Sequence, residues 1–249
     1  MWDNPRVLNT AASLLIAAAC AIFALEGLQL LLRSPLFALR DIVVRGELAH
    51  TARADLENAA RARAAGNFFS LDLAGLRAGF EQLAWVRRVD VRRIWPDRVE
   101  VSIEEHVALA HWGDVGLVNI YGERFPGQTD ANLPVFAGPA GTEGEVTQRY
   151  RRYAALLAPL APLGGALDRV ILSPRFAWQL RLAGGLSIEL GRDLANDPAE
   201  ARLARFVAVY PQTLGRIARH HEYVDLRYPN GFALRMPETG RGGNAKAKS

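Results

Sequence analysis

The chain has 249 residues, of which 50% are hydrophobic and 22% are charged, and its formal net charge is +4. This composition excludes a disordered chain, and because the basic residues are dispersed rather than gathered in one stripe, it does not favour nucleic-acid binding. The single cysteine, Cys20, excludes an intramolecular disulfide and a cysteine-based metal site.

The first predicted element is an apolar helix near the amino terminus. Residues 7–25 carry no charge, and nineteen residues in a helix span roughly 28 Å, close to the hydrocarbon thickness of a bilayer. The apolar run resumes after Gly27, so we predict a transmembrane helix over residues 7–32 behind a short terminus, residues 1–6. The run is longer than the apolar core of a cleaved signal peptide, and apolar residues continue past Cys20, which disfavours a lipoprotein site. A buried helix of a soluble protein is the third alternative, but the segment is apolar all round. Arginines occur on both sides, so charge counting leaves the orientation open.

Residues 35–106 are predicted to form one small α+β unit. Residues 39–45 are a short β-prone run, and a helical stretch begins at Thr51. A second helix, which Ser70 is placed to cap, is indicated by an apolar stripe: Leu73, Leu76, Phe80 and Leu83. Two alternating strands follow, joined by the turn Trp95-Pro96-Asp97. The order β-α-α-β-β directly after a span resembles a POTRA domain, the polypeptide-transport-associated module.

Residues 107–236 are predicted to form a mixed α/β domain with an antiparallel sheet. An apolar stripe from Val146 to Leu160 predicts one helix, and Asp197-Pro198 is typical of the start of another. Gly184-Gly185 predicts a hairpin turn, and a final hairpin runs from residue 223 to 236 around Pro229-Asn230-Gly231. Residues 237–249 are polar, glycine-rich and basic, and we predict that they are disordered.

The sequence contains no convergent set of catalytic groups, so we predict no enzymatic activity, cofactor or small-molecule substrate. His220-His221 lacks the spacing of a His-Glu-x-x-His zinc site, and the glycine-rich residues 138–144 lack the Lys-Ser/Thr ending of a phosphate loop. Neither Ser-x-x-Lys nor Gly-x-Ser-x-Gly is present, which disfavours a transpeptidase or serine hydrolase. A binding role is therefore favoured.

Several segments carry a family likeness in addition to the apolar anchor: Trp95-Pro96-Asp97-Arg98, Leu117-Val118-Asn119, residues 202–206, Tyr210-Pro211 and residues 223–228. In their order and spacing they resemble the FtsQ/DivIB family of bacterial cell-division proteins over nearly the whole chain. The resemblance implies a cytoplasmic amino terminus, one span in the inner membrane, a periplasmic POTRA domain and a β domain at the division septum. It also implies a divisome scaffold that links early and late division proteins and helps control septal peptidoglycan synthesis.

The resemblance further implies a partner-binding surface. In the family, the partner FtsB, which acts with FtsL, adds a β-strand to the last strand of the β domain, and other divisome proteins are expected on the POTRA domain. A strand edge offers unpaired N–H and C=O groups, so such an addition satisfies both chains. The positions that match the family's partner contacts are Arg175, Arg227, Tyr228, Asn230, Gly231, Phe232, Ala233 and Leu234.

Two alternatives stay open at this point. POTRA modules also occur in adaptors for polypeptide transport to the outer membrane, although such proteins generally carry repeated POTRA units, often before a β-barrel. This sequence has one unit and no series of barrel-length strands. Taken without the resemblance, Arg227 is a solvated strand arginine and Tyr228 is a core tyrosine closing the hairpin.

Overall fold

The computed structural model describes residues 5–32, 37–213, 222–228 and 231–235. The chain divides into two compact units, one ending at Glu105 and the other beginning at His106, next to the predicted boundary between residues 106 and 107. The α+β class is confirmed. The predicted disorder of residues 237–249 falls outside the described residues, as do residues 1–4.

The first element, α1, is a helix of 28 residues over Pro5–Leu32. Its segment Asn9–Leu30 has a mean hydropathy of 2.1, and none of that segment is buried against the rest of the protein. Glu26 is the one charged residue of the segment Asn9–Leu30. In a helix, 22 residues extend about 33 Å, so α1 is long and apolar enough to cross a bilayer.

The POTRA unit follows the predicted order of strands and helices. Its elements are β1 (Asp41–Arg45), α2 (Arg53–Arg63), α3 (Leu73–Glu81), β2 (Val86–Ile94) and β3 (Arg98–Glu105). The sheet has the order β1-β3-β2, with β1 parallel to β3 and β2 antiparallel to it. The stripe of α3 faces the sheet, because Leu76 and Phe80 are fully buried in the same cluster as Val89, Val99 and Val101.

The predicted cap of α3 is wrong. The residue preceding the helix is Asp72, and it makes no capping hydrogen bond through its side chain. Ser70 instead exchanges hydrogen bonds with Asn67, accepting from the backbone N–H at 2.9 Å and donating to Oδ1 at 3.0 Å. Ser70 therefore stabilises the loop before the helix, since short polar side chains compete well for nearby backbone groups.

Glu105, the last residue of β3, holds the segment that leads into α2. Its carboxylate accepts hydrogen bonds from three consecutive backbone N–H groups: those of Ala49 at 2.8 Å, His50 at 3.1 Å and Thr51 at 2.8 Å. Burial alone would raise the pKa of Glu105, but the hydrogen bonds from Thr51 and the other two residues outweigh it and lower the pKa.

This arrangement predicts an acid-sensitive POTRA unit. A carboxyl whose folded-state pKa lies below its unfolded value of about 4.3 stabilises the fold fully above that pH and loses the contribution as pH falls through the folded pKa. We expect the unfolding free energy of the wild type to approach that of Glu105→Gln as the pH falls from 7 to 3, measured by urea denaturation. A difference that stays constant over this range would contradict the role of the carboxylate.

The second unit is built on one nine-stranded sheet. Its elements are β4 (Ala108–Trp112), β5 (Leu117–Asn119), β6 (Arg124–Phe125), β7 (Val135–Ala137), α4 (Glu143–Leu157), β8 (Leu167–Leu172), β9 (Ala177–Leu182), β10 (Ser187–Arg192), α5 (Ala199–Val209), β11 (Tyr223–Asp225) and β12 (Ala233–Arg235). The strand order is β12-β11-β10-β9-β8-β7-β4-β5-β6. Short 3-10 turns follow α4 and α5.

This sheet is mixed, where the sequence predicted it antiparallel. Among the described strands, five of the eight neighbouring pairs are antiparallel, and β4–β7, β7–β8 and β10–β11 are parallel. The helices explain two of the parallel pairs, because α4 connects β7 to β8 and α5 connects β10 to β11. A helical crossover returns the chain to the same end of the sheet, so the next strand runs parallel to the last.

Both helices cover one face of this sheet. Tyr153 and Leu157 of α4 and Leu203 and Phe206 of α5 are almost fully buried in the cluster that contains Trp178. Burial of such side chains contributes about 1.5–3 kcal/mol each. The α5 side of the cluster reaches the last two strands, because Val224 and Leu226 belong to it and Phe232 and Leu234 pack against it.

Candidate interaction edge of the second domain

Strand β12 forms one edge of the nine-stranded sheet. It pairs antiparallel with β11 in the register Tyr223↔Arg235, Val224↔Leu234 and Asp225↔Ala233. In the described part of the chain β12 has no second neighbour. The other side of β12 is therefore an edge with backbone groups available for pairing.

The hydrogen bonds of β11 identify which residue of β12 points its backbone outward. Ser187 donates to the carbonyl of Glu222 at 3.0 Å, and Leu226 donates to the carbonyl of Glu189 at 2.9 Å. The backbone N–H and C=O groups of Glu222, Val224 and Leu226 thus point toward β10. Because backbone direction alternates along a strand, those of Tyr223 and Asp225 point toward β12. Their partners Arg235 and Ala233 face back toward β11. The N–H and C=O of Leu234 consequently point to the free side.

The side of this edge that faces the helices is apolar and packs against α5. The ring of Phe232 packs edge-to-face on Phe206 of α5, with centroids 5.7 Å apart, and Phe206 packs in the same way on Tyr210 at 5.4 Å. Phe206 is only 1% exposed. A strand added beside β12 would extend this supported surface, because side chains of neighbouring strands line the same face.

The opposite face of the edge is a groove of about 640 Å³. It is lined by Ser187, Glu222, Tyr223, Asp225, Ala233, Leu234 and Arg235. Ala233 and Arg235 are exposed there. The edge therefore offers a concave surface of mixed polarity on one side and an apolar one on the other.

Arg227 is held by Asp225. Its Nη2 lies 2.6 Å from Asp225 Oδ2, its Nε lies 2.9 Å from Oδ1, and its backbone N–H donates to Oδ1 at 3.0 Å. The Arg227 side-chain hydrogen bonds lower the pKa of Asp225 although partial burial opposes them, whereas burial raises the pKa of the neighbouring Glu189. Arg227 is exposed, as the solvated-arginine alternative predicts, and its ion pair with Asp225 also fixes the chain as it leaves β11.

The stem of Arg227 lies across Gly191 of β10. A Cβ at Gly191 would lie 2.9 Å from Arg227 Cγ, and the glycine has a φ of +74° at an irregularity in the β9–β10 register. Only glycine adopts this conformation without strain, and only glycine leaves room for the arginine stem.

We predict that Gly191→Ala destabilises the second unit by more than Gly185→Ala. Gly185 has a similar φ of +88°, but a Cβ there meets nothing within 4 Å. Both variants carry a strain of about 1–2 kcal/mol for a left-handed alanine, and Gly191→Ala also displaces Arg227. Chemical denaturation measures both free energies of unfolding. Equal losses of unfolding free energy in the two variants would show that the Arg227 stem moves aside without destabilising the unit.

The remaining predicted contact residues lie near the same end of the sheet. Tyr228 is 56% exposed, so the core-tyrosine alternative is wrong. Arg175 is exposed in the turn between β8 and β9. That turn lies at the end of the sheet occupied by Arg227, since Trp178 pairs with Gly191 in β10. The structure therefore brings Arg175 and the hairpin to one end, with β10 between β9 and β11.

The final hairpin is shorter than the sequence indicated. Each of its strands has three residues, and residues 226–232 connect them. Gly231 and Phe232 belong to this connection, whereas Asn230 lies outside the described residues. Sequence reasoning did not assign Asp225, Gly191 or Phe206 to the site, although all three position it. The helical spacing of Leu203, Phe206 and Tyr210 is typical of a core face, but no local pattern indicates that Arg227 would cover a glycine of another strand.

No group of three or more His, Cys, Asp or Glu side chains is arranged to hold a metal ion within the described ranges. His220 and His221 lie outside them. The described residues of this edge offer backbone hydrogen bonding, apolar packing and ion pairs.

Both folded units match known families. A sequence model described as "Cell division protein FtsQ/DivIB, C-terminal" matches residues 110–227, and one described as "POTRA domain, FtsQ-type" matches residues 37–106. The predicted POTRA domain is therefore confirmed. The C-terminal match ends at Arg227, so β12 lies beyond it.

Curated relatives match almost the whole chain. A cell division protein FtsQ of Burkholderia pseudomallei is 42% identical over 238 residues, covering 94% of both chains. A second, of Nitrosospira multiformis, is 40% identical over 240 residues, covering 94% of this chain and 99% of the relative. A third, of Bordetella pertussis, is 37% identical over 257 residues, covering 95% and 93%. The chain therefore belongs to the FtsQ/DivIB family of cell-division proteins.

Proposed function

We propose that this protein is a divisome scaffold that captures FtsB, and FtsL with it, by adding a strand of FtsB to the free side of β12. The observation that carries the proposal is the outward N–H and C=O of Leu234 on an edge that has no second neighbour among the described strands. Strand addition satisfies these groups and gives affinity through the backbone, while side-chain pockets give specificity. Membership of a cell-division family supports the divisome role.

The charges around the edge favour an acidic partner segment. Asp225 is already neutralised by Arg227, and among the other exposed charges the two arginines, Arg235 and Arg175, outnumber Glu222. Under the proposal, Arg175 pairs with a carboxylate of the bound partner, and Tyr228 covers the junction between the added strand and the hairpin. Aromatic and arginine side chains of this kind dominate the energetics of many interfaces.

The proposal includes a location. Helix α1 would cross the inner membrane with the amino terminus in the cytoplasm and both folded units in the periplasm at the division septum. There the protein would link early and late division proteins and help control septal peptidoglycan synthesis without being an enzyme. The alternative, an adaptor for polypeptide transport, has no support from the relatives, which are cell division proteins over nearly their whole length.

We predict that Tyr228→Ala lowers affinity for FtsB by about tenfold to a hundredfold, the range of an interface hot spot. Tyr121→Ala is a matched control, because both tyrosines belong to the second unit and each is 56% exposed. The measurement is capture of the full-length protein by immobilised FtsB in detergent, with the circular dichroism spectrum as a check on folding. Equal binding by the two variants would remove Tyr228 from the interface.

The division role has its own test in cells. Depletion of the protein is expected to produce filaments, which the wild type and Tyr121→Ala reverse and Tyr228→Ala reverses poorly. Normal division on depletion would overturn the function itself. Filaments that Tyr228→Ala fully rescues would keep the division role but remove Tyr228 from partner binding.

A further inference from the structure

One end of the POTRA domain carries exposed aromatic side chains. Trp95, in the turn between β2 and β3, is 74% exposed, and Phe69 is 41% exposed. Phe37 packs edge-to-face against Phe69, with ring centroids 5.0 Å apart. We call Phe37, Phe69 and Trp95 the aromatic tip. Large exposed aromatic rings at one end of a domain are a feature of contact surfaces.

Hydrogen bonds tie the aromatic tip into one end of the domain. The backbone N–H of Phe68 donates to the carbonyl of Phe37 at 2.9 Å, and the N–H of Arg40 donates to the carbonyl of Asp97 at 3.0 Å. Arg93, near the end of β2, donates from its side chain to the carbonyls of Phe68 and Phe69. The chain that enters the domain at Phe37 is thus fixed beside both the Phe68-Phe69 loop and the β2–β3 turn.

The connection to α1 keeps this end close to the membrane. Helix α1 ends at Leu32, and Phe37 is five residues further on, so the two are separated by at most about 17 Å. The headgroup layer on each side of a bilayer is about 5–8 Å thick. The far end of the domain, around Gln82, lies roughly 30 Å away along the nine-residue strand β2.

We propose that the aromatic tip docks into the lipid headgroup layer of the membrane that α1 crosses, and so fixes the POTRA domain against the bilayer surface. Tryptophan favours this layer, because its ring is apolar and its N–H can reach water or headgroups. The short connection makes docking intramolecular, so a weak intrinsic affinity suffices. The proposal rests on the span of α1 but not on capture of FtsB.

Two carboxylates at the aromatic tip offset two of its three arginines, and the third, Arg93, donates to backbone carbonyls. Asp97 pairs with Arg40 at 3.1 Å and with Arg98 at 3.9 Å, and Arg98 also lies 3.8 Å from Asp41. Docking therefore depends on the aromatic rings rather than on anionic lipid. We expect it to be the same in neutral and anionic bilayers and to survive added salt.

Spin labels on the full-length protein in nanodiscs test the proposal. The single native cysteine, Cys20, lies within α1, and a Cys20→Ser background allows one new label at Ile94, beside Trp95, or at Gln82 at the far end. Lipids with a chelated gadolinium headgroup enhance the relaxation of any label near the headgroup layer. We expect strong enhancement at position 94, little at 82, and a several-fold loss at 94 when Trp95→Ser is added.

Each outcome separates docking from tethering. The connection alone brings position 94 nearer to lipid than position 82, so enhancement that Trp95→Ser leaves unchanged would overturn docking and leave the aromatic tip to a protein partner. Enhancement only with anionic lipid would overturn the aromatic basis. A spin label on Cys20 in the wild type tests whether α1 crosses the bilayer. If oxygen dissolved in the bilayer does not enhance the relaxation of this label, α1 does not cross the membrane and the docking proposal is overturned with it.

Discussion

Leu234→Pro is expected to lower affinity for FtsB by about a hundredfold or more, the largest effect of any single change at the edge. The substitution removes the one outward N–H of β12 and places the proline ring where the added strand would lie. A partner carbonyl is then buried without a donor, which costs about 1–3 kcal/mol in addition to the lost hydrogen bond. Titration of FtsB against the full-length variant measures the loss.

The fold should tolerate this proline. An edge strand accepts proline where the N–H faces solvent, and the preceding residue, Ala233, is already extended. Leu234→Ala is the matched control, because it removes the same partly buried side chain and keeps the N–H. We expect it to weaken binding by about tenfold at most. If Leu234→Ala loses as much affinity as Leu234→Pro, the side chain and not the backbone makes the contact.

Phe206→Ala is expected to destabilise the second unit by about 3–5 kcal/mol, as is usual for a fully buried phenylalanine. The same change removes the ring on which Phe232 packs, so β12 loses its support from α5. Binding should fall as well, because the partner must then order the edge before it can pair. Denaturation gives the stability, and titration under conditions where the variant is folded gives the affinity.

Phe136→Ala separates the two effects. Phe136 is also fully buried, but it belongs to β7 and packs on Tyr150, away from the edge. We expect a similar loss of stability and unchanged affinity per folded molecule. The milder pair Phe206→Leu and Phe136→Leu applies if either alanine variant fails to fold. Equal affinities in the pair would mean that β12 keeps its shape without the aromatic support.

The amphipathic helices were predictable from sequence because a single face decides their packing. The stripe of α3 identified Leu76 and Phe80 as core residues, and both are fully buried. Helix ends were less predictable. Asp197 was expected to cap α5, yet the N–H of Ala199 donates to Asp193, while Asp197 pairs with Arg202 and Arg205. Several carboxylates lie within reach of a helix start, and tertiary partners decide which one is used.

Strand direction and register were not predictable from alternation. A half-buried strand alternates in the same way whether its neighbour is parallel or antiparallel, so the pattern of residues 223–228 gave the faces of Val224 and Leu226 but not the parallel pairing with β10. The length of the final hairpin depended on contacts from distant residues. Leu226 continues the pairing with β10 by donating to Glu189, and Arg227 folds onto Gly191.

The order of the strands in the chain has a consequence for when the edge can exist. Strands β11 and β12 are the last described strands in sequence. In the sheet they lie beyond β10 at one edge, and all the earlier strands lie on the other side of β10. A chain emerges from its amino terminus first. On a partly synthesised chain β10 is the exposed edge, and the surface offered by β12 forms only when α5 and β11 are in place. Partner capture would thus report that the domain is complete.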